Sequence, residues 1–169
     1  MIIYKKYGGN WLALFLLSFI AGCSEPAGEH LDSIDNSDPE YIAGETYYGR
    51  NSYTEYLPGN LPIIIGTPHG GSEKPEEIPD RTWGTTVKDA YTQELARIFA
   101  DSLKAITGKL PHLIVCRLHR TKLDANRDLH EAAQGNGNAG SAWSEYHGYI
   151  ESAKDTVSKY FKGGLYIDI

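Results

Sequence analysis

Leu61-Pro-Ile-Ile-Ile-Gly66 and His112-Leu-Ile-Val-Cys-Arg-Leu118 are the two stretches on which the fold turns. Each is a short continuous apolar run rather than an alternating one, the pattern of a strand covered on both faces. Between them, residues 88–107 repeat apolar side chains at helical spacing. Tyr91, Leu95, Ile98, Phe99, Leu103 and Ile106 fall on one predicted face, and Gly108 stands where a helix ends in a left-handed residue. After the second run, Ser141 is the predicted N-cap of another long helix, whose apolar face carries Trp143, Tyr146, Ile150, Ala153, Val157 and Phe161. Gly163-Gly164 ends it, and Leu165-Tyr-Ile-Asp-Ile169 starts a third strand. Strands separated by long helices predict an α/β fold, a mostly parallel sheet flanked by helices. The roughly 110 residues after position 58 make a small core for such a fold. Residues 59–169 are therefore expected to be the N-terminal part of a larger, C-terminally truncated α/β domain.

Upstream of the first strand the chain changes character. Residues 23–58 are rich in Gly, Ser, Asp, Glu, Asn and Tyr, with no hydrophobic period, and read as a linker. The Tyr-rich piece 41–56 has two readings, tether or irregular strand packed on the domain. Residues 1–22 place Lys5 and Lys6 before the run Trp11-Leu-Ala-Leu-Phe-Leu-Leu-Ser-Phe-Ile20, and small residues follow. That is a secretory signal, too short in its apolar part to span a bilayer. Ile20-Ala21-Gly22-Cys23 resembles the bacterial lipobox, in which the Cys is acylated and becomes the first mature residue; a plain signal peptide with an incidental Cys is the alternative. Ser24, rather than Asp, favours the outer membrane by the same resemblance. The expected location is the cell envelope, with the membrane reached through the lipid alone.

Composition narrows the partners. The chain has 169 residues, 22 acidic and 16 basic side chains, and a net charge of −6. Removing residues 1–22 takes out two lysines and no acid, so the remainder does not seek anionic headgroups electrostatically. No Lys/Arg stripe supplies a nucleic-acid footprint, so nucleic acid is not an expected partner. Two cysteines are too few for a disulfide scaffold or a Cys-based zinc module, and Cys116, mid-strand, reads as a small buried hydrophobe.

Chemistry gathers in three places. Thr67-Pro-His-Gly-Gly-Ser-Glu-Lys-Pro-Glu-Glu-Ile-Pro-Asp-Arg81 follows the first strand, where ligands of an open α/β sheet bind. His69 is placed as a metal ligand or general base, with Glu73, Glu76, Glu77 and Asp80 as nearby carboxylates for a cation such as zinc. The other reading is a surface loop with solvated acids. In the loop after the second strand, Arg120, Lys122, Asn126 and Arg127 gather donors suited to a substrate carboxylate. An Arg127 brace to Asp124 or Asp128 is the alternative there. His147, on a helix face with aromatic residues, reads as structural.

Taken together, Pro68-His-Gly-Gly with Ile78-Pro-Asp-Arg81, Leu123-Asp-Ala-Asn-Arg-Asp128, Glu145-Tyr-His147 and Gly164-Leu-Tyr-Ile-Asp168 resemble the N-formylglutamate amidohydrolase-like family over about residues 60–169. The resemblance implies the phosphorylase/hydrolase-like fold of zinc carboxypeptidases and hydrolysis of the amide in a small acidic N-acyl amino acid or peptide. It implies one zinc ion with His69 as first ligand, and Asn126 and Arg127 holding the substrate carboxylate. The carboxypeptidase pattern has a Glu three residues after the first His, where this chain has Ser72. Asp80 is the expected second ligand, with Glu73 and Asp89 behind it. A last ligand and a general base are expected beyond Ile169, which makes the chain as given an incomplete or inactive form. A non-catalytic envelope lipoprotein binding small acidic ligands or peptides is the other functional reading.

Overall fold

The computed structural model describes residues 40–169; the signal-like segment, Cys23 and the linker up to residue 39 lie outside the described residues. The strands are β1 (Tyr47–Tyr48), β2 (Thr54–Leu57), β3 (Ile63–Thr67), β4 (His112–Cys116) and β5 (Leu165–Asp168), and the helices are α1 (Thr92–Thr107), α2 (Leu129–Ala133) and α3 (Gly137–Tyr160). All five strands join one sheet in the order β1-β2-β4-β3-β5. The three strands read from apolar runs are parallel to one another: β3 lies between β4 and β5, with Ile64 opposite His112 and Tyr166.

Successive strand residues point to opposite faces, and each face has its own helix. Ile64, Ile114 and Cys116 pack under α3 against Tyr146, Ile150, Ala153 and Val157. Ile65, Leu113 and Val115 pack under α1 against Ala96, Ala100 and Phe99. Covered on both sides, β3 and β4 have no polar face to show, which is why their sequences do not alternate.

The sheet is mixed rather than mostly parallel. The Tyr-rich segment takes the strand reading: β2 runs antiparallel to β4, with Thr54 opposite Cys116 and Tyr56 opposite Ile114, and β1 runs antiparallel to β2. Tyr56 is fully buried, and its hydroxyl lies 2.9 Å from His112 Nδ1. The Tyr41 ring stands edge-on to those of Tyr47, Tyr56 and Tyr149. On the other face, Glu55 receives both prongs of the Arg97 guanidinium from α1, at 2.9 and 2.8 Å. Residues 41–58, at the end of the stretch read as linker, thus belong to the folded unit.

Both long helices differ from expectation at their starts. α1 begins at Thr92, not near Lys88, because residues 88–91 are tied elsewhere. Lys88 Nζ donates to Ser72 Oγ, Asp89 N–H donates to the His69 carbonyl, and Tyr91 is left-handed at φ 63°. Its packed face is displaced from the predicted one: Ala96 and Ala100, outside that face, are buried with Phe99 beside them, while Tyr91, Leu95, Ile98 and Ile106 are exposed. Gly108 ends it in the left-handed region at φ 71°, its N–H on the Lys104 carbonyl, as the sequence indicated. α3 starts at Gly137 because Asn136, not Ser141, is the cap, accepting from Ala139 N–H at 2.9 Å. Its predicted apolar face is the packed one. Among the described residues, no helix is long and apolar enough to cross a membrane.

Candidate functional site

Three parallel strands end at one edge, and the chain just beyond β3 and β4 carries most of the chemistry. His69 follows β3 by two residues, Arg120 and Asp124 follow β4, and Asp168 is the last residue of β5. Such an edge collects ligands in open α/β sheets because the helices and loops leave a crevice there. Two loops are zipped to form it: Glu73 N–H donates to the Arg117 carbonyl and His119 N–H to that of Glu73. Gly71 makes the approach possible. A Cβ there would lie 2.2 Å from the Leu118 carbonyl oxygen and 2.4 Å from the Arg117 carbonyl carbon.

Asp124 is the centre of the site, and it is fully buried. Its Oδ1 lies 2.7 Å from His69 Nε2, and its Oδ2 accepts from Arg120 Nε at 2.9 Å, with Arg81 Nη1 at 3.8 Å. Burial pushes this carboxyl up, but the His69 and Arg120 hydrogen bonds outweigh burial and hold it at about 2. An ionised Asp124 only accepts, so His69 Nε2 carries the proton. The other ring nitrogen, Nδ1, lies 3.4 Å from Asp89 Oδ2. A buried carboxylate, a histidine and a half-exposed carboxylate stand in line.

The acids expected near His69 separate clearly. Asp80 is exposed and pairs with Lys122 Nζ at 2.9 Å, an interaction that lowers its carboxyl. Glu73 pairs with Arg117. Asp89 alone of the three reaches the histidine, its backbone N–H bonded to the His69 carbonyl at 3.1 Å. The donor chemistry of His69 Nδ1 and Asp89 fits two corners of a zinc site, with Asp124 as the carboxylate behind the histidine. Among the described residues, no group of three His, Cys, Asp or Glu converges to complete such a site.

The Asp124-Ala-Asn-Arg-Asp128 segment has a task at each polar position. Asn126 Nδ2 donates to Asp168 Oδ2 at 2.7 Å, which ties this loop to β5. The other amide hydrogen has no partner among the described residues. Arg127 is half-exposed, its Nε 3.4 Å from Glu131 Oε1, so the alternative reading, a side-chain brace to Asp124 or Asp128, is not what the structure shows. Asp128 caps α2, accepting from His130 and Glu131 N–H.

Arg120, expected among the substrate-binding residues, is buried in the scaffold. It spans Asp124, Asp89 at 3.5 Å and the Val87 carbonyl at 3.4 Å. Arg81 was not among the expected site residues, yet its buried guanidinium donates to the carbonyls of Thr85, Arg120 and Glu131. Its only sequence signal was its place in Ile78-Pro-Asp-Arg81. His147, which reads as structural, packs its ring tilted against that of Trp143 and reaches the Ala125 carbonyl at 3.0 Å, tying α3 to the loop. A cavity of about 260 Å³ bordered by Asp80, Arg81, Trp83 and Gln134 touches neither His69 nor Asn126.

Comparisons of the chain with protein-family models, with curated proteins and with solved structures find no match.

Proposed function

We propose that this domain is a zinc-dependent amidohydrolase of the N-formylglutamate amidohydrolase type, related in fold to the zinc carboxypeptidases. Its substrate is the amide of a small acidic N-acyl amino acid or peptide, and it acts in the bacterial envelope, anchored by lipid on Cys23. The observation that carries this reading is the line Asp124–His69–Asp89, because a buried carboxylate on one ring nitrogen dedicates the other to a cation. His69 Nδ1 and Asp89 would hold zinc, which when bound supplies a polarised carbonyl and an activated water. The remaining roles belong to side chains. Asp124 orients the imidazole, and Arg120 and Arg81 keep Asp124 charged and fixed. Arg127 offers a planar fork to the substrate carboxylate, and Asn126, held by Asp168, adds its second amide hydrogen.

Titration of the full chain with zinc chloride tests the ligand assignment. His69→Ala and Asp89→Asn are expected to remove binding, and Asp124→Asn to weaken it roughly 10–100-fold, the usual effect of losing a partner behind a ligand. Asp80→Asn and Glu73→Gln should leave it unchanged, since both acids face other partners. Zinc binding indifferent to His69→Ala overturns the assignment. An N-acyl amino acid that binds equally with and without zinc supports the binding lipoprotein instead.

A further inference from the structure

The outer face of α1 carries an apolar stripe that nothing in the described fold covers. Leu95 is 54 %, Ile98 63 % and Ile106 82 % exposed. Positions 95, 98 and 106 lie on one side of the helix, with Ser102, bonded to the Ile98 carbonyl, as the polar break between Ile98 and Ile106. The inner face is already used: Ala96 and Ala100 seat α1 on the sheet. Leu95 and Ile98, with Ile106 beyond the serine, therefore form a second apolar face of α1.

The charges beside the stripe say what fits it. Glu94, Arg97, Asp101 and Lys104 all lie on one flank. In two copies of a helix packed antiparallel about a twofold axis, each flank meets its own counterpart, and residues equidistant from the centre stand level. About Phe99, Glu94 is five residues before and Lys104 five after, while Arg97 is two before and Asp101 two after. Both pairs are opposite in sign. Arg97 is already forked onto Glu55, so the Glu94–Lys104 pair is the freer of the two. A lipid surface would not favour the acidic members of this flank.

We propose that α1 is a self-association surface: two copies of this chain pair their α1 helices antiparallel, burying Leu95 and Ile98, with Glu94 of each against Lys104 of the other. The test is a charge swap read by sedimentation equilibrium of the full chain in density-matched non-ionic detergent. Glu94→Lys alone and Lys104→Glu alone are each expected to weaken dimerisation about three- to tenfold, since each places like charges level twice in the symmetric pair. The double variant should return to within about twofold of the parent. An effect on helix stability alone predicts the reverse. Both changes oppose the helix dipole, so the double variant would then be the worst of the three. A chain that stays monomeric, or self-associates identically in all four forms, overturns the proposal. So does flotation on phosphatidylserine-containing vesicles that Glu94→Lys strengthens and Lys104→Glu weakens, which would assign the stripe to lipid.

Discussion

Asp124 carries its charge where water does not reach, and that is affordable only because His69, Arg120 and Arg81 surround it. Removing one partner of a buried ion pair leaves the others uncompensated, which typically costs about 3–5 kcal/mol. Asp124→Ala should therefore lower the melting temperature by on the order of 10 °C. Asp124→Asn keeps the shape and loses the charge, so it should cost less, and its deficit should depend on pH. Held at about 2, below its unfolded value, the carboxyl stabilises the fold fully above about pH 4 and loses that contribution as pH falls toward 2. Melting curves across that window check it: the gap between wild type and Asp124→Asn should narrow toward acid, and a constant gap refutes the charge argument. In the sequence Asp124 stands only as part of the Asp-Ala-Asn-Arg-Asp128 motif and, in the alternative reading, as one of two possible partners for Arg127. Spacing shows that an acid follows a strand, and not that a histidine 55 residues earlier folds onto it.

Among the elements, the three parallel strands and α3 were legible because burial on both faces, or one wide apolar stripe, writes itself into residue order. α1 was legible as a helix and misread as to face. Periodicity marks an apolar stripe without saying what covers it, and two alanines proved to be the seat. The antiparallel β2 was ambiguous because its inward polar residues, Thr54 and Glu55, are satisfied by groups far away in sequence, such as Arg97. The junction between the loops after β3 and β4 rests on contacts no pattern displays, and it yields a contrast between adjacent glycines. A Cβ at Gly71 meets backbone, at 2.2 Å from the Leu118 oxygen, whereas one at Gly70 meets the Thr92 and Gln93 side chains first and backbone only at 3.2 Å, the Gln93 nitrogen. Backbone cannot step aside, so Gly71→Ala should cost about 1–3 kcal/mol by overpacking and part the two loops. Gly70→Ala should cost clearly less. Urea unfolding of both variants measures this, and equal losses would show that the loops do not meet as described.

At the scale of the whole molecule, the site lies at one end of the parallel strands and His112 near the other, where β4 begins. His112 is buried, its Nδ1 facing the Gly59 N–H at 3.2 Å and the Tyr56 hydroxyl at 2.9 Å, while its Nε2 has no partner among the described residues. Nδ1 therefore serves as an acceptor, and a protonated ring would forfeit the Gly59 bond and keep only the Tyr56 hydroxyl, turned to accept, in a place that does not solvate charge. Burial accordingly pushes this imidazole down to about 4. The unfolded chain takes up its proton near pH 6.5, so the sign is fixed: the unfolded state binds more protons between pH 6.5 and 4, and stability falls across that interval. The neutral ring's full contribution is present above 6.5, and by pH 4 roughly 3 kcal/mol of it is gone. This window sits above that of Asp124, so the two ends of the sheet lose hold of the fold at different acidities. His112→Gln supplies an uncharged acceptor that no proton alters. It should be somewhat less stable than wild type at pH 7.5, yet lose less on acidification, so that the two unfolding free energies converge between pH 6.5 and 4. His119 and His147, which burial also lowers, contribute equally to both chains and drop out of the difference. Parallel curves through that interval would show that the ring is not held neutral by the fold.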